Sequence, residues 1–292
     1  MANGILVIDK PQDWTSHDVV AKLRGILRER RIGHAGTLDP MATGVLPVFV
    51  GRATRAVEFA ADREKEYLAG LRLGTVTDTQ DVTGTVLETR PAEVSDAALE
   101  GVLARFQGEI QQIPPMYSAI KVNGKKLYDL ARKGREVERQ PRSVTIHALD
   151  YTGRTENGDI ALRIACSKGT YVRTLCHDIG AALGCGGCMS ALRRVRCEEF
   201  DIADAHTLEE VLAAAERGEA ERLLLPVDAL FAAYPAQTVT AAQEKCVRSG
   251  GRWTCAMPER QYRFYGADGA FLALGEVRDG YARSVKSFFE VS

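Results

Sequence analysis

Apolar and polar positions near the start of the chain follow first the period of a buried strand and then that of a helix. Gly4 to Lys10 is a short apolar run typical of a buried strand. Ser16 to Leu27 places its apolar residues at helical spacing behind a Thr/Ser cap. Residues 32 to 51 are rich in glycine and contain two prolines, which disfavours continuous helix before a strand at Val45 to Val50.

The middle of the chain mixes predicted strands with isolated helices. A turn of sequence Glu-Asn-Gly-Asp joins two alternating runs in the manner of a hairpin, and a helix is expected near Thr170. The predicted strands are Glu66 to Leu73, Gly84 to Thr89, Val144 to Tyr151 and Ile160 to Cys166, and the predicted helix between them is Ser95 to Phe106. This order predicts an α+β fold around a central, mainly antiparallel sheet.

The end of the chain predicts a second, smaller unit. A helix with a Thr207/Glu210 capping box is expected to run to about Leu225, and Pro226 and Pro235 punctuate a boundary. From Ala236 onward, short strands alternate with glycine turns. We therefore expect a domain over residues 1–230 and a small β-rich module over 236–292.

A net charge of −1 hides a segregation of charge along the chain. Residues 121 to 142 carry eight basic side chains against three acidic ones, and a second basic run spans Lys22 to Arg31. Residues 198 to 221 carry nine acidic side chains and one arginine. A polyanion would then meet one side of the molecule. The alternative is that these runs are ordinary solvated faces, and charge alone does not separate the two readings.

Seven cysteines scattered through a long chain predict reduced thiols and a reducing, cytoplasmic location. The sequence has neither a secretion signal nor the roughly 18 consecutive apolar residues that a membrane span needs. Cys185 and Cys188 have the spacing of half a zinc site, but no second pair follows and the glycines around them favour a helix stop. We expect no metal site.

Asp39 lies in a loop where Pro40 keeps it extended and nearby glycines let a partner approach the backbone. Such a loop can present a carboxylate rigidly to a substrate. The alternative is that Asp39 caps a helical turn with Pro40 at its first position. The local spacing fits both readings.

A second cluster, SKGTYVRT at residues 167 to 174, combines a strand end and a helix start with two cations and an aromatic. Helix starts bind anions through free backbone amides, so a phosphate or carboxylate site is one interpretation. The alternative for Arg173 is a surface ion pair. Tyr67 alternates with Ala69 and Leu71, which by default indicates a core aromatic.

The segment GHAGTLDPMATGVLPV at residues 33 to 48 resembles the signature of the TruB family of tRNA pseudouridine synthases. Further blocks agree in order: IDKP at 8 to 11, KEYLAGLRLGTVTDTQDVTG at 65 to 84, IPPMYSAIKVNGKKLYDLARKG at 113 to 134, SKGTYVRT at 167 to 174 and LRR at 192 to 194. The resemblance implies the pseudouridine synthase fold, a basic insertion at about 115–142 that clamps RNA, and a PUA-like RNA-binding module after Ala236.

Position by position, the resemblance makes Asp39 the nucleophile, Tyr67 the aromatic that stacks on the target base, and Arg173 the ionic partner of Asp39. A guanidinium at hydrogen-bond distance opposes the rise in pKa that burial imposes on a carboxyl group. The hydroxyl of Tyr67 is also a candidate acceptor for the proton on C5 of the base. The positions assigned to substrate binding are His34, Lys10, Pro11, Asp78, Tyr171 and Leu192, together with Lys121, Lys125 and Lys126 of the insertion.

The implied reaction isomerises a uridine at position 55, in the T arm of tRNA, after the base is flipped out. A C1′–N1 bond is cleaved and a C1′–C5 bond is formed, so no cofactor is expected. Attack by Asp39 at C1′, attack at C6, and a route through a glycal all stay open. The implied protein is a monomer that acts on tRNA without a membrane or an obligatory protein partner.

Two other classes of protein compete with this reading. A noncatalytic RNA-binding or chaperone protein would share the basic segment, but a carboxylate inside its RNA pocket would repel phosphates. A guide-RNA-dependent synthase of the dyskerin type would share the chemistry but work within a multiprotein particle.

Overall fold

The structure is a computed structural model that describes residues 2–60, 64–118, 120–122, 124–197 and 199–289. The strands up to residue 201 are β1 (Gly4–Lys10), β2 (Ile32–His34), β3 (Thr43–Val50), β4 (Lys65–Leu73), β5 (Thr75–Thr77), β6 (Val86–Thr89), β7 (Gly108–Gln112), β8 (Lys121–Val122), β9 (Lys125–Lys126), β10 (Arg142–Arg154), β11 (Ile160–Cys166), β12 (Gly187–Cys197) and β13 (Phe200–Asp201). The helices are α1 (Ser16–Leu27), α2 (Val57–Ala60), α3 (Asp96–Leu103), α4 (Leu127–Ala131), α5 (Val172–Ala182), α6 (Leu208–Glu216) and α7 (Ala241–Ser249).

A nine-stranded sheet organises the described part of the larger unit. Its order is β1-β3-β12-β4-β11-β10-β7, with β2 beside β3 and β13 beside β12. The pairs are antiparallel except β3 with β12, where Gly44 lies opposite Arg194. Gly44 has φ +99°, and a Cβ there would lie 2.1 Å from the carbonyl oxygen of Arg194, so only glycine permits this pairing. The predicted α+β class with a mainly antiparallel sheet is confirmed.

Local sequence signals set several elements correctly. The bounds predicted for β1 and α1 are confirmed, and Thr15 and Asp18 form a capping box at the start of α1. The predicted hairpin is β10 and β11. The capping box of Thr207 and Glu210 is also confirmed.

The predicted end of the acidic helix near Leu225 is wrong, since α6 ends at Glu216. Gly218 follows in the left-handed region at φ +73°. Leu225 instead exchanges two backbone hydrogen bonds with Ile5 of β1, each 2.8 Å long. Tertiary pairing of the backbone therefore takes these residues away from the helix.

Some strands of the large sheet were not predicted from the sequence, and β2 and β7 show the reason. β2 is three residues long and lies inside the glycine-rich segment that we expected to be irregular. β7 has the sequence GEIQQ, whose polar character conceals a strand that pairs with β10 at the edge of the sheet. Both strands depend on partners that are distant in sequence.

The C-terminal part is β-rich, as expected. Its strands are β14 (Ala236–Thr238), β15 (Arg252–Thr254), β16 (Gln261–Tyr265), β17 (Phe271–Arg278) and β18 (Tyr281–Ser287), in the order β14-β16-β17-β18-β15. Leu274 and Phe288 of this part share one buried cluster with Ile5, Phe49 and Phe231. The smaller sheet is therefore packed on the larger unit through a common apolar core.

No helix within the described ranges is both long enough and apolar enough to cross a membrane.

Candidate active site

A cavity of about 780 Å³ opens where the large sheet meets the loop between β2 and β3 and the start of α5. Five residues predicted from the sequence line it, namely Asp39, Tyr67, Tyr171, Arg173 and Leu192. A cavity of this size is within the range that holds a ligand as large as a nucleotide.

Asp39 begins a tight turn rather than a helix. Its backbone carbonyl accepts a hydrogen bond of 3.0 Å from the N–H of Ala42, with Pro40 as the second residue of the turn. The preceding residue, Leu38, is buried and exchanges hydrogen bonds with the hydroxyl of Ser16 in α1. The helix-cap alternative is therefore not what the structure shows, because the Asp39 side chain is directed to Arg173.

The guanidinium of Arg173 joins the carboxylate of Asp39 to the backbone around it. Its Nε lies 2.9 Å from Asp39 Oδ2, and its Nη2 lies 3.3 Å from Oδ1. The same side chain donates to the carbonyl oxygens of Thr79 at 3.2 Å and Tyr117 at 2.9 Å. Arg173 is 6 % exposed, so the surface-ion-pair alternative does not describe it.

Burial raises the pKa of Asp39 above its usual range, and the nearby guanidinium of Arg173 opposes that rise without cancelling it. Asp81 adds to the rise by repulsion. The carboxyl side chain is nevertheless 39 % exposed, which leaves it open to the cavity. The site thus holds a reachable carboxylate in surroundings that partly desolvate it.

Asp81, rather than Asp78, is the second acid of the cavity. Asp78 is exposed and outside the cavity lining, and its carboxylate accepts a hydrogen bond from the backbone N–H of Thr85. Asp81 is 4 % exposed, lies 3.6 Å from Arg173 Nη1, and accepts from the backbone N–H of Thr83 at 2.9 Å. The structure thus places Asp78 outside the cavity, and its contact to the substrate stays a prediction. The chain reverses at Gln80, which has φ +65°, and turns only the later acid inward.

Tyr67 and Leu192 come from neighbouring strands of the sheet. Tyr67 lies on β4, is 7 % exposed, and belongs to the buried cluster of the large sheet while also lining the cavity. Burial raises the pKa of its hydroxyl to about 12. Leu192 lies on β12 and packs against the same cluster. The core-aromatic reading of Tyr67 and its place on the cavity wall are thus compatible.

Lys10 is not available to bind a substrate, which corrects its predicted role. It is 0 % exposed, and its Nζ donates to the carbonyl oxygens of Pro11, Trp14 and Pro40 at 2.9, 2.6 and 3.1 Å. These three bonds use all the donors of the ammonium group. Burial lowers the pKa of Lys10 to about 8. Lys10 therefore ties the turn after Asp39 to the end of β1, and Pro11 is one of its acceptors.

His34, expected to contact the substrate, does not line the cavity and lies behind His17. His17 of α1 lines the cavity, and the ring of His34 contacts it edge-on at 5.3 Å between centroids. Burial lowers the pKa of His34 to about 4, so its imidazole is neutral at pH 7. Its Nδ1 has no hydrogen-bond partner in the described part of the chain. Sequence reasoning missed His17, whose spacing gave no signal beyond that of a helical surface residue.

Tyr171 lines the cavity at the first residue before α5. Gln112, buried at the end of β7, exchanges two hydrogen bonds with its backbone: Tyr171 N–H donates at 2.8 Å and Tyr171 C=O accepts at 3.1 Å. Gln112 was missed because β7 itself was missed. These bonds set the direction in which α5 begins and hence the position of Arg173.

The predicted basic insertion reaches the cavity through α4. Tyr128 and Arg132 line the cavity, with the Arg132 guanidinium 5.6 Å from the centre of the Tyr128 ring. Lys125 is exposed. The side chains of Lys121 and Lys126 lie outside the described parts of the structure, so their predicted contacts stay predictions.

The cysteines are all free thiols. Those of the predicted cluster are buried, namely Cys166, Cys176, Cys185, Cys188 and Cys197. Burial raises the pKa of Cys166 and Cys188 to about 11 each, which keeps them as thiols at pH 7. Within the described ranges, no group of three or more His, Cys, Asp or Glu side chains is arranged to hold a metal ion.

Comparison with known proteins places this chain in one family. Residues 24–172 match the model of the TruB family pseudouridylate synthase N-terminal domain, and residues 173–232 match the tRNA pseudouridylate synthase B C-terminal domain. A relative from Azoarcus sp. (strain BH72), named tRNA pseudouridine synthase B, is 44 % identical over 286 residues, covering 97 % of this chain and 94 % of its own length. A relative of the same name from Thermobifida fusca (strain YX) is 42 % identical over 297 residues, covering 99 % of both chains.

Solved structures agree on the fold. A chain in the crystal structure of a Cbf5-Nop10-Gar1 complex is 26 % identical with a TM-score of 0.76, over 99 % of this chain and 85 % of that one. A chain in an H/ACA RNP bound to a substrate RNA containing 2'-deoxyuridine has a TM-score of 0.75 at 24 % identity, over 99 % and 86 %. The chain belongs to the TruB family of pseudouridylate synthases, and it is an enzyme of the isomerase class.

Proposed function

We propose that this enzyme converts uridine 55, in the T arm of tRNA, to pseudouridine, with Asp39 as the nucleophile. The observation that carries the proposal is the Asp39 carboxylate, which is open to a nucleotide-sized cavity and held at 2.9 Å by the buried guanidinium of Arg173. The choice of tRNA is supported by the relatives, whose common name is tRNA pseudouridine synthase B.

The reaction breaks the C1′–N1 bond, turns the base, and joins C1′ to C5, from which a proton then leaves. A carboxylate beside an anomeric carbon stabilises or traps an oxocarbenium-like centre. Attack at C1′, attack at C6 and the glycal route all need Asp39 in its ionised form. Arg173 favours that form by opposing the effect of burial on the pKa of Asp39.

A uridine in folded RNA must leave its stack to reach Asp39. Tyr67 and Leu192 supply an aromatic and an apolar surface inside the cavity for the extruded base. Arg132 at the mouth of the cavity is exposed and suited to a phosphate of the flanking strand. Tyr67 is the proposed acceptor of the C5 proton.

The smaller sheet is proposed as a PUA-like RNA-binding module over residues 236–292, after a synthase domain over 1–230. On its outer face, the Arg252 guanidinium lies 4.4 Å from the centre of the half-exposed Tyr281 ring, and exposed Arg283 is two residues further along β18. Interleaved cations and aromatics are typical of surfaces that bind single-stranded nucleic acid. We further propose that the chain acts in the cytoplasm as a monomer, without an obligatory protein partner.

The decisive experiment uses purified protein and a T-arm stem-loop transcript tritiated at C5 of uridine. Release of tritium measures turnover, and chemical mapping gives the position of the pseudouridine. Asp39→Asn and a transcript with cytidine at position 55 are the controls, and both are expected to release no tritium. Tight binding without turnover by the wild type would support a noncatalytic binder. Turnover only after addition of a guide RNA and further proteins would support a guide-dependent synthase.

A further inference from the structure

Arg194 is a cation buried next to the cavity that none of the steps above uses. It is 0 % exposed, and its Nε and Nη2 donate to the carbonyl oxygens of Val45 at 2.7 Å and Gly36 at 2.8 Å. Its Nη1 is also buried but has no hydrogen-bond partner among the residues that the structure describes. A buried N–H of a charged group that lacks a hydrogen-bond partner destabilises the fold. Because Arg194 also lines the cavity, its Nη1 is a candidate for a functional role there.

The register of the sheet sets this group beside Tyr67. Arg194 of β12 is the direct partner of Tyr67 on β4. Directly opposite side chains of an antiparallel pair share one face of the sheet, with Cβ atoms roughly 4.5–5.5 Å apart. Leu192, two residues earlier on β12, shares that face. Tyr67, Leu192 and Arg194 therefore lie on the same face of the sheet, and all three line the cavity.

The two side chains already interact electrostatically. The Arg194 guanidinium lowers the pKa of the Tyr67 hydroxyl and so opposes the larger effect of burial. Gly36 leaves room for this arrangement, since a Cβ at that position would lie 3.0 Å from Arg194 Nη1. The guanidinium is therefore near enough to the phenol to affect its pKa, and the absence of a side chain at Gly36 leaves space beside Nη1.

We propose that Arg194 is a positioning residue for Tyr67, with Nη1 orienting the phenol oxygen and stabilising its negative charge, while Nε ties the same guanidinium to β3 and Nη2 ties it to the Asp39 loop. This inference rests on the proposed function, in which Tyr67 removes the C5 proton.

The proton transfer balances without any further reactant than water. Once C1′ is bonded to C5, the C5–H bond breaks and its electron pair forms the C5=C6 double bond. The former C6=N1 electron pair moves to N1, which takes a proton from water. Tyr67 is a phenol at pH 7 because its pKa is about 12. It first gives its proton to water, then accepts the C5 proton as tyrosinate and so ends as the phenol again. A fixed cation beside that oxygen favours the tyrosinate form.

A purely structural role for Arg194 is the competing reading, because its hydrogen bonds to Val45 and Gly36 hold β3 and the Asp39 loop in place. A double-mutant cycle separates the two. We expect Arg194→Lys to lower kcat about tenfold in the wild-type enzyme but less than about twofold in the Tyr67→Phe background, and Arg194→Gln to cost more than Arg194→Lys. Equal losses in both backgrounds would overturn the proposal.

A measurement without RNA keeps this test independent of the proposed function and of residual activity. The tyrosines are replaced by 3-fluorotyrosine, whose more acidic phenol titrates at lower pH, and the Tyr67 fluorine resonance is assigned by its loss in Tyr67→Phe. Arg194→Lys and Arg194→Gln should both move its titration to higher pH. The control is Arg193→Lys, because Arg193 pairs with Asp9 at 2.7 Å. This variant is expected to leave the titration of the Tyr67 fluorine resonance unchanged. An unaltered titration in a folded Arg194 variant, checked by thermal unfolding, refutes the contact, whereas absent turnover by the wild type refutes only the proposed function.

Discussion

Replacing Arg173 by methionine leaves the carboxylate of Asp81 buried without its cation. The Asp81 side chain is 6 % exposed and, among the residues that the structure describes, would keep its hydrogen bonds from Thr79 and Thr83 alone. Removing one partner of a buried ion pair typically costs about 3–5 kcal/mol in the free energy of unfolding. That is a large part of the roughly 5–15 kcal/mol that holds a domain folded.

The double variant Arg173→Met with Asp81→Asn tests where that cost originates. Neutralising Asp81 removes the stranded charge, so we expect it to restore about 2 kcal/mol of the lost stability. It should not restore turnover, because Asp39 still lacks its guanidinium and is protonated more readily. Both variants should therefore lose at least about 100-fold in kcat and regain part of it as the pH rises.

Urea unfolding at pH 7 and single-turnover rates from pH 5 to 9 measure these effects. A loss below about 1 kcal/mol in Arg173→Met would show that Asp81 does not depend on Arg173. A double variant no more stable than the single one would refute the stranded-charge explanation. Near-normal turnover in either variant would contradict the role given to Arg173.

Three further predictions follow from the same geometry. Asp39→Asn should abolish turnover yet raise stability at pH 7 by on the order of 0.5 kcal/mol, discounted for the 39 % exposure of the side chain. The sign of this effect follows from the raised pKa of Asp39 in the folded protein. Because the folded state binds the proton more tightly than the unfolded state, ionisation of Asp39 destabilises the fold at pH values above the folded pKa. The stability gained by Asp39→Asn should therefore vanish in melting curves recorded below the unfolded pKa of about 3.9. Lys10→Met should lower kcat at least about tenfold while changing the Kd for RNA less than about twofold, because its Nζ serves the loop backbone; a large rise in Kd would restore its predicted role in binding. Neutralising Lys125, Arg132 and Lys133 together should instead weaken RNA binding at low salt and flatten the salt dependence of the Kd. The reason is that each phosphate contact releases roughly one counterion. An unchanged slope of the Kd against salt concentration would place these residues away from the RNA.

The sequence predicted those secondary-structure elements that are set by local signals. Alternating or continuous apolar residues and capping side chains set β1, α1 and the β10–β11 hairpin, because these preferences act within a few residues. The end of α6 and the strand β7 were not predicted correctly from the sequence. Both are decided by backbone partners far away in the chain, Ile5 for the first and β10 for the second.

The candidate site divides in the same way. Asp39, Tyr67 and Arg173 could be named from sequence because a long motif and several ordered blocks resemble one family, and the structure brings all three to one cavity. Residue type and order, however, do not state which way a side chain points. Nothing in TDTQD distinguishes Asp78 from Asp81 until the turn at Gln80 is formed.

What the sequence by itself determined is therefore the family, the local elements and the candidate reactive groups, since these depend on residue identity and short-range preferences. Tertiary structure decided which groups share the cavity. It buried Lys10 among three carbonyl oxygens, put His17 in front of His34, and set Arg194 opposite Tyr67. Each of these outcomes depends on strand register or on contacts between segments that are distant in sequence. A short segment of the sequence does not determine either of them.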